Sequence, residues 1–185
     1  RHIAIGGAAG APRLLQEGCR WVGGQTVSID SDLVRTATES TEAGKITELN
    51  FCFKFVQRIS GLDTYAAHLR SLDLSSNNIR QIEGLEGMSK LRELKLCACQ
   101  ITRIQSLEPC MTLSALHLDD NRIGCIEGLD NLRALEYLNL DSNRISRIGN
   151  GLARLAKLKE LHLSYNELTS LDGVVGLTNL EVLTA

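Results

Sequence analysis

Cys97-Ala98-Cys99, His117 and His162 are the residues of this 185-residue sequence with the strongest claim to chemistry, and Ile3 to Gly10, IAIGGAAG, comes closest to a phosphate loop. Thiolates are soft metal ligands, but a structural zinc takes four ligands in a tetrahedron. Histidines ligate metals or relay protons only when a partner stands within a few ångströms. A glycine-rich loop cradles phosphate when it joins a strand to a helix. Here Pro12 follows at once, with no strand-helix-strand pattern and no ribose-binding acid behind it. Whether the thiols and imidazoles can act together depends on the elements that place them.

Those elements are repeats. LRSLDLSSNNIRQIEGLEGMSK begins at Leu69 and recurs, nearly position for position, from Leu91, Leu113, Leu135 and Leu158, with a period of 22 residues and one copy of 23. The consensus L-x-x-L-x-L-x-x-N-x-I is the signature of a leucine-rich-repeat solenoid. Apolar and polar residues alternate at Leu72-Asp73-Leu74, Leu94/Leu96, Leu116/Leu118, Leu138/Leu140 and Leu161/Leu163, as a strand with one buried face requires. One such strand cannot bury its leucines alone, but parallel stacking buries them all. Asn77, Asn121, Asn143 and Asn166 recur where the chain turns inward, and their amides are expected to bond neighbouring backbone as a ladder, with Cys99 in the same column. Apolar residues spaced by three follow, such as Ile79, Ile82, Leu85, Met88 and Leu168, Leu171, Val174, Leu177. That spacing suits short helical or 3₁₀ turns on the convex side.

The register settles the chemistry. Cys97 is placed on the concave surface and Cys99 turned inward, while Cys110 falls in a core column and Cys125 on the convex side, so no set of four zinc ligands forms. His117 and His162 stand two repeats apart, about 10 Å, with Asn139 between them. No nucleophile is placed beside an orienting base. The sequence therefore predicts a non-enzyme without metal, cofactor or small-molecule substrate.

The I-x-x-I-E-G-L segments at Ile79 to Leu85 and Ile123 to Leu129 resemble the 22-residue class of leucine-rich repeats named after a regulatory subunit of protein phosphatase 1. The same class includes axonemal outer-arm dynein light chain 1, dynein-assembly and dynein-regulatory proteins and a spliceosomal particle protein. The resemblance covers Ile46 to the end. It implies an α/β solenoid: a right-handed horseshoe with one parallel strand per repeat on the concave face, turns on the convex face and an N-terminal cap helix. It also implies a cytoskeletal or ciliary setting, that of axoneme and flagellum, among the class's common ones.

Hydrophobic residues make up 43% of the chain and aromatics 4%, which fits a Leu/Ile-filled core. The net charge of −2 offers no general grip on phosphates, which disfavours nucleic acid, and no run of 18 apolar residues indicates a membrane span. Six cysteines without paired terminal caps point to a reducing, intracellular and cytoplasmic compartment. Residues 1–27, with the single Trp21 and with Cys19, are read as an irregular arm. Residues 28–45 are read as a cap helix begun by Ser28 or Asp30 and stopped at Gly44. Residues 46–185 are divided into repeats at 46–68, 69–90, 91–112, 113–134, 135–157 and 158–179, with another starting at 180. In the divergent first copy Lys54 replaces the ladder asparagine, and Phe53 and Phe55 either pack on the cap helix, the preferred reading, or stand exposed for a partner. The chain starts at Arg1, not Met, and ends as a seventh strand begins, so a piece of a longer protein is expected.

What remains is the variable surface between the core leucines. Asp73, Glu93, Lys95, His117, Asp119, Asp120, Tyr137, Asn139, Asp141, Glu160, His162 and Tyr165 are the candidate partner-binding residues. Tyrosines and histidines beside an acidic edge fit a basic helix or loop of a protein partner. Arg80, Arg103, Arg122, Arg144 and Arg147 read as convex or turn-face charges. The expectation is thus a protein-docking scaffold, with a phosphatase regulatory subunit, the targeting region of a larger enzyme, or a ribonucleoprotein component as the other readings.

Overall fold

The computed structural model describes residues 28–29, 46–53 and 55–185. The sequence readings of the arm, of Trp21 and Cys19, of the cap helix over 30–45 and of Lys54 lie outside the described residues. Ser28–Ile29 forms strand β1, paired in parallel with β3 (Arg58–Ile59), so these two residues do not open a helix as expected.

The alternating segments form one parallel sheet, in strict sequence order. Its strands are β2 (Glu48–Asn50), β4 (Ser71–Asp73), β5 (Glu93–Lys95), β6 (Ala115–His117), β7 (Tyr137–Asn139), β8 (Glu160–His162) and β9 (Val182–Thr184). Each pairs with the equivalent residues of the next: Leu72 faces Leu94, Leu116 faces Leu138, and Leu161 faces Leu183. The middle leucines of β4 to β8 are fully buried. A strand of three residues is too short to hold a sheet alone; burial of its leucine, at about 1.5–3 kcal/mol per side chain, depends on the copies either side.

The asparagine ladder forms as the sequence predicts. Asn121 accepts a hydrogen bond from the Ile101 N–H at 3.0 Å and donates to the Leu96 carbonyl at 2.8 Å, both in the preceding repeat, and to Leu118 and Asp119 in its own. Asn143 does the same for Ile123 and Leu118, Asn77 for Val56 and Phe51, and Asn166 for Ile145 and Leu140. The Cys99 thiol reaches the Leu74 carbonyl at only 3.6 Å, a weaker bond.

The residue before each ladder position has a left-handed backbone: Phe53, Ser76, Ala98, Asp120, Ser142 and Tyr165 all have φ between 50 and 57°. That conformation turns the side chain out of the core. Phe53 is accordingly 70% exposed, and Phe55, also left-handed, is 67% exposed, against the preferred expectation that both pack inward on a cap. On the convex side the spacing of three yields isolated turns closed by i to i−3 bonds, such as Cys110 to Leu107 and Leu113 to Cys110. The only helix among the described residues is α1 (Asp63–Ala66), in the first repeat. Leu171, in the same apolar series, is 44% exposed.

The glycines of the I-E-G-L segments have a packing reason. Gly128 has φ +71°, and a Cβ there would lie 2.5 Å from the Ile104 carbonyl oxygen; at Gly84 it would lie 2.2 Å from that of Ile59. The adjacent Glu127 and Glu83 pair with Arg103 and Arg58 of the preceding repeat at 2.8 Å. The extra residue of the Leu135 repeat is taken up at Gly149-Asn150-Gly151 in a convex turn, and β7 and β8 remain in register.

Three stability measurements follow. Asn121→Ala removes the side-chain partner of the buried Ile101 N–H and Leu96 carbonyl and is expected to cost about 2–4 kcal/mol in urea denaturation, whereas Cys99→Asn is expected to stabilise by about 0.5–1 kcal/mol. Gly128→Ala, which forces a methyl onto backbone at a left-handed residue, is expected to cost at least about 2 kcal/mol, read the same way.

Candidate functional site

In β2 and in β4 to β8 the central residue points into the core and its two neighbours face the concave hollow, so the sheet presents two columns of side chains and a rim. One column runs Asn50, Asp73, Lys95, His117, Asn139, His162, and the other Glu48, Ser71, Glu93, Ala115, Tyr137, Glu160. The rim, two residues beyond the first column, holds Ser75, Cys97, Asp119, Asp141 and Ser164.

Asn139 stands between His117 and His162 in the register, but the ring between the two imidazoles belongs to Tyr137. Its centroid lies 4.7 Å from that of His117 and 5.3 Å from that of His162, at tilts of 36° and 45°. Ala115 beside Tyr137 leaves room for this ring to lean across the column. Asn139 turns to its own chain and accepts the Asp141 N–H at 2.9 Å. His162 is fixed from the far side, with Nδ1 3.1 Å from the Thr184 hydroxyl and Nε2 3.8 Å from Glu160. The result is a continuous aromatic row across β6, β7 and β8. Burial raises the Tyr137 phenol above its ordinary range, with nearby Asp119, Glu160 and Asp141 adding to it, so the row is neutral on that side.

A charged cluster adjoins it over β4 to β6. Glu93 accepts from the Ser71 hydroxyl at 2.8 Å, pairs with Lys95 at 3.1 Å, and lies 3.8 Å from His117 Nε2. Burial disfavours both charges of the pair. The hydrogen bonds and mutual attraction win, holding Glu93 below and Lys95 above their usual ranges. Burial, followed by the Lys95 charge, lowers the His117 pKa below the ordinary histidine value. The Cys97 thiol is pushed up to about 12, first by burial and then by its hydrogen bond to Asp119.

Asp73 Oδ1 accepts the Ser75 N–H, and Asp141 Oδ1 accepts the Ser164 N–H, so both acids also brace the rim. Asp120 and Tyr165 occupy the left-handed turn before the ladder and are exposed, Tyr165 at 85%. The structure thus brings His117, Tyr137 and His162 together, and Glu93, Lys95 and His117; Asp120 and Tyr165 stay apart at the edge. Arg80, Arg103, Arg122, Arg144 and Arg147 are all exposed.

A family model described as "Leucine rich repeat" matches residues 133–185, and another, "Leucine Rich repeats (2 copies)", matches residues 67–109. The chain is a leucine-rich-repeat protein. A comparison with curated protein sequences returns no match. Among solved structures this leucine-rich-repeat chain is similar to internalin C2 of Listeria monocytogenes, at 24% identity and a TM-score of 0.65 over 87% of this chain and 76% of that one. It is similar also to internalin F of the same organism, at 20% identity and a TM-score of 0.66, over 94% of this chain and 55% of the other, so it spans about half of that protein's solved chain. At these identities the likeness is one of fold. Leucine-rich-repeat domains generally mediate protein–protein interaction and are typically non-enzymatic. No helix among the described residues is long and apolar enough to cross a membrane.

Sequence reasoning treated Cys97 with Cys99 and His117 with His162, and so missed the grouping across repeats. The ligand atoms of Cys97, His117 and Asp119 lie within 4.8 Å of one another. The 22-residue offset that makes Cys97 and Asp119 neighbours on the rim was the available signal.

Tyr137→Ala is expected to shift the ring-proton NMR signals of both His117 and His162 through loss of its ring current and to leave those of exposed His68 in place. The same variant is expected to lose about 1–2 kcal/mol of stability.

Proposed function

We propose that this protein is a non-catalytic docking scaffold that receives a basic helix or loop of a protein partner in its concave hollow. The observation that carries the reading is the His117–Tyr137–His162 row, three aromatic side chains in contact on the open face of a rigid sheet. Aromatic groups already held in place give up little freedom on binding and bury large areas, as anchors of interfaces do. Glu160, Asp141 and Asp119 flank the row, and such an edge favours a partner rich in lysine or arginine.

The setting we favour is an intracellular cytoskeletal or ciliary assembly, on the resemblance carried by the I-x-x-I-E-G-L segments. Regulation of a phosphatase is the reading that shares this resemblance. The glycines and glutamates of those segments serve the solenoid itself, so they do not discriminate between the two.

The test is a parallel co-purification from cells of the wild-type chain, Tyr137→Ala and the double charge reversal Asp119→Lys with Asp141→Lys, each first shown to keep its circular-dichroism spectrum. Partners of the wild type are expected to fall at least about tenfold with either variant. Undiminished capture by both would remove the concave face as the docking surface, and micromolar binding to a phosphatase catalytic subunit would move the assignment to the second setting.

A further inference from the structure

We infer that Cys97, His117 and Asp119 form a binding site for one thiophilic divalent cation of the zinc class, with its open side toward the concave hollow. This goes beyond the docking function, which needs no metal, and does not rest on it.

The three donors come from two repeats and are fixed by backbone between them. The Leu96 N–H donates to the His117 carbonyl at 2.9 Å and the Ala98 N–H to the Asp119 carbonyl at 3.0 Å, so the segments carrying the cysteine and the other two ligands are laced together on both sides of Cys97. All three side chains are partly buried, neither sealed from solvent nor free to swing widely. Their ligand atoms already lie within 4.8 Å of one another. A tetrahedral zinc with bonds of about 2.0–2.3 Å sets its ligands about 3.3–3.7 Å apart, so closure asks each side chain for a shift of about 1 Å or less.

Donor chemistry selects the ion. One sulfur, one imidazole nitrogen and one carboxylate oxygen suit zinc and its borderline-soft neighbours; calcium and magnesium require oxygen ligands. The local charge favours a cation as well. Asp73, Glu93 and Asp119 all act on His117, against the single ammonium of Lys95, which is itself paired with Glu93 at 3.1 Å. Glu93 lies 3.8 Å from His117 Nε2 and adds to the negative charge around the ring.

Binding involves no redox change. The Cys97 S–H bond breaks as the sulfur–metal bond forms, and its proton passes to solvent. The imidazole donates a nitrogen lone pair, the Asp119 carboxylate an oxygen, and water takes the fourth position. Three protein ligands and one exchangeable position would let a group from another molecule complete the sphere.

The experiment uses the tag-free, metal-depleted chain, kept reduced by a phosphine and titrated with Co²⁺ under anaerobic conditions, then with Zn²⁺. One equivalent of Co²⁺ is expected to give a thiolate-to-cobalt charge-transfer band and the visible bands of a four-coordinate ion, which Zn²⁺ then bleaches. Cys97→Ser is expected to abolish the charge-transfer band. His117→Ala and Asp119→Asn are expected to weaken binding more than about tenfold, and Cys125→Ser to leave it unchanged. Circular dichroism of every variant verifies the fold, which none of these partly exposed or exposed sites holds together. Absence of the band in the wild type, its survival in Cys97→Ser, or wild-type affinity in both other ligand variants would overturn the site. Partner capture by Tyr137→Ala is read separately, so loss of the metal site and loss of the docking face give different results.

Discussion

The whole architecture depends on what satisfies the backbone where each strand ends and the chain turns inward. At that point N–H and C=O groups of two successive repeats are buried, and a buried group left unpaired costs about 1–3 kcal/mol. An asparagine in four of the repeats answers this, because a primary amide both donates and accepts and is short enough to reach the copy before it; in the Leu91 copy the Cys99 thiol stands in, with a weaker bond. The leucines supply most of the burial, but leucines alone would allow the segments to slide. The amide fixes where each turn sits, and the strands then have no choice of register.

From that constraint comes the regularity of the outer side. With the turns locked, convex segments lie so near one another that a carbonyl of one occupies the place of a side chain in the next, which is why Gly84 and Gly128 carry none. The same closeness puts Glu83 and Glu127 beside arginines of the preceding copy. The sequence motif that most invites a functional reading is thus consumed by packing.

The repeats, strands and ladder were legible because each follows from a period that can be counted. The amphipathic alternation at Leu72, Leu94 and Leu116 allows one answer, and the asparagine column another. Features that depend on local backbone geometry were less visible. Nothing in the sequence announces that Phe53 and Tyr165 share a left-handed position and must face outward, since glycine, the usual sign of that conformation, is absent there. The concave face was legible as a set of positions and not as contacts. That Tyr137 leans across to touch two histidines depends on the small Ala115 beside it, and that Cys97 meets Asp119 and His117 depends on reading neighbours across the 22-residue offset instead of along the chain.

The loop at Gly149-Asn150-Gly151 shows how length variation is tolerated. An additional residue enters on the outside of the curve, while Tyr137 still faces Glu160 and Asn139 still faces His162. Insertions of this kind change the circumference of one coil and leave the inner spacing untouched. Evolution can therefore lengthen or decorate the outer wall without re-aiming any side chain of the hollow, so the two surfaces are free to diverge at independent rates.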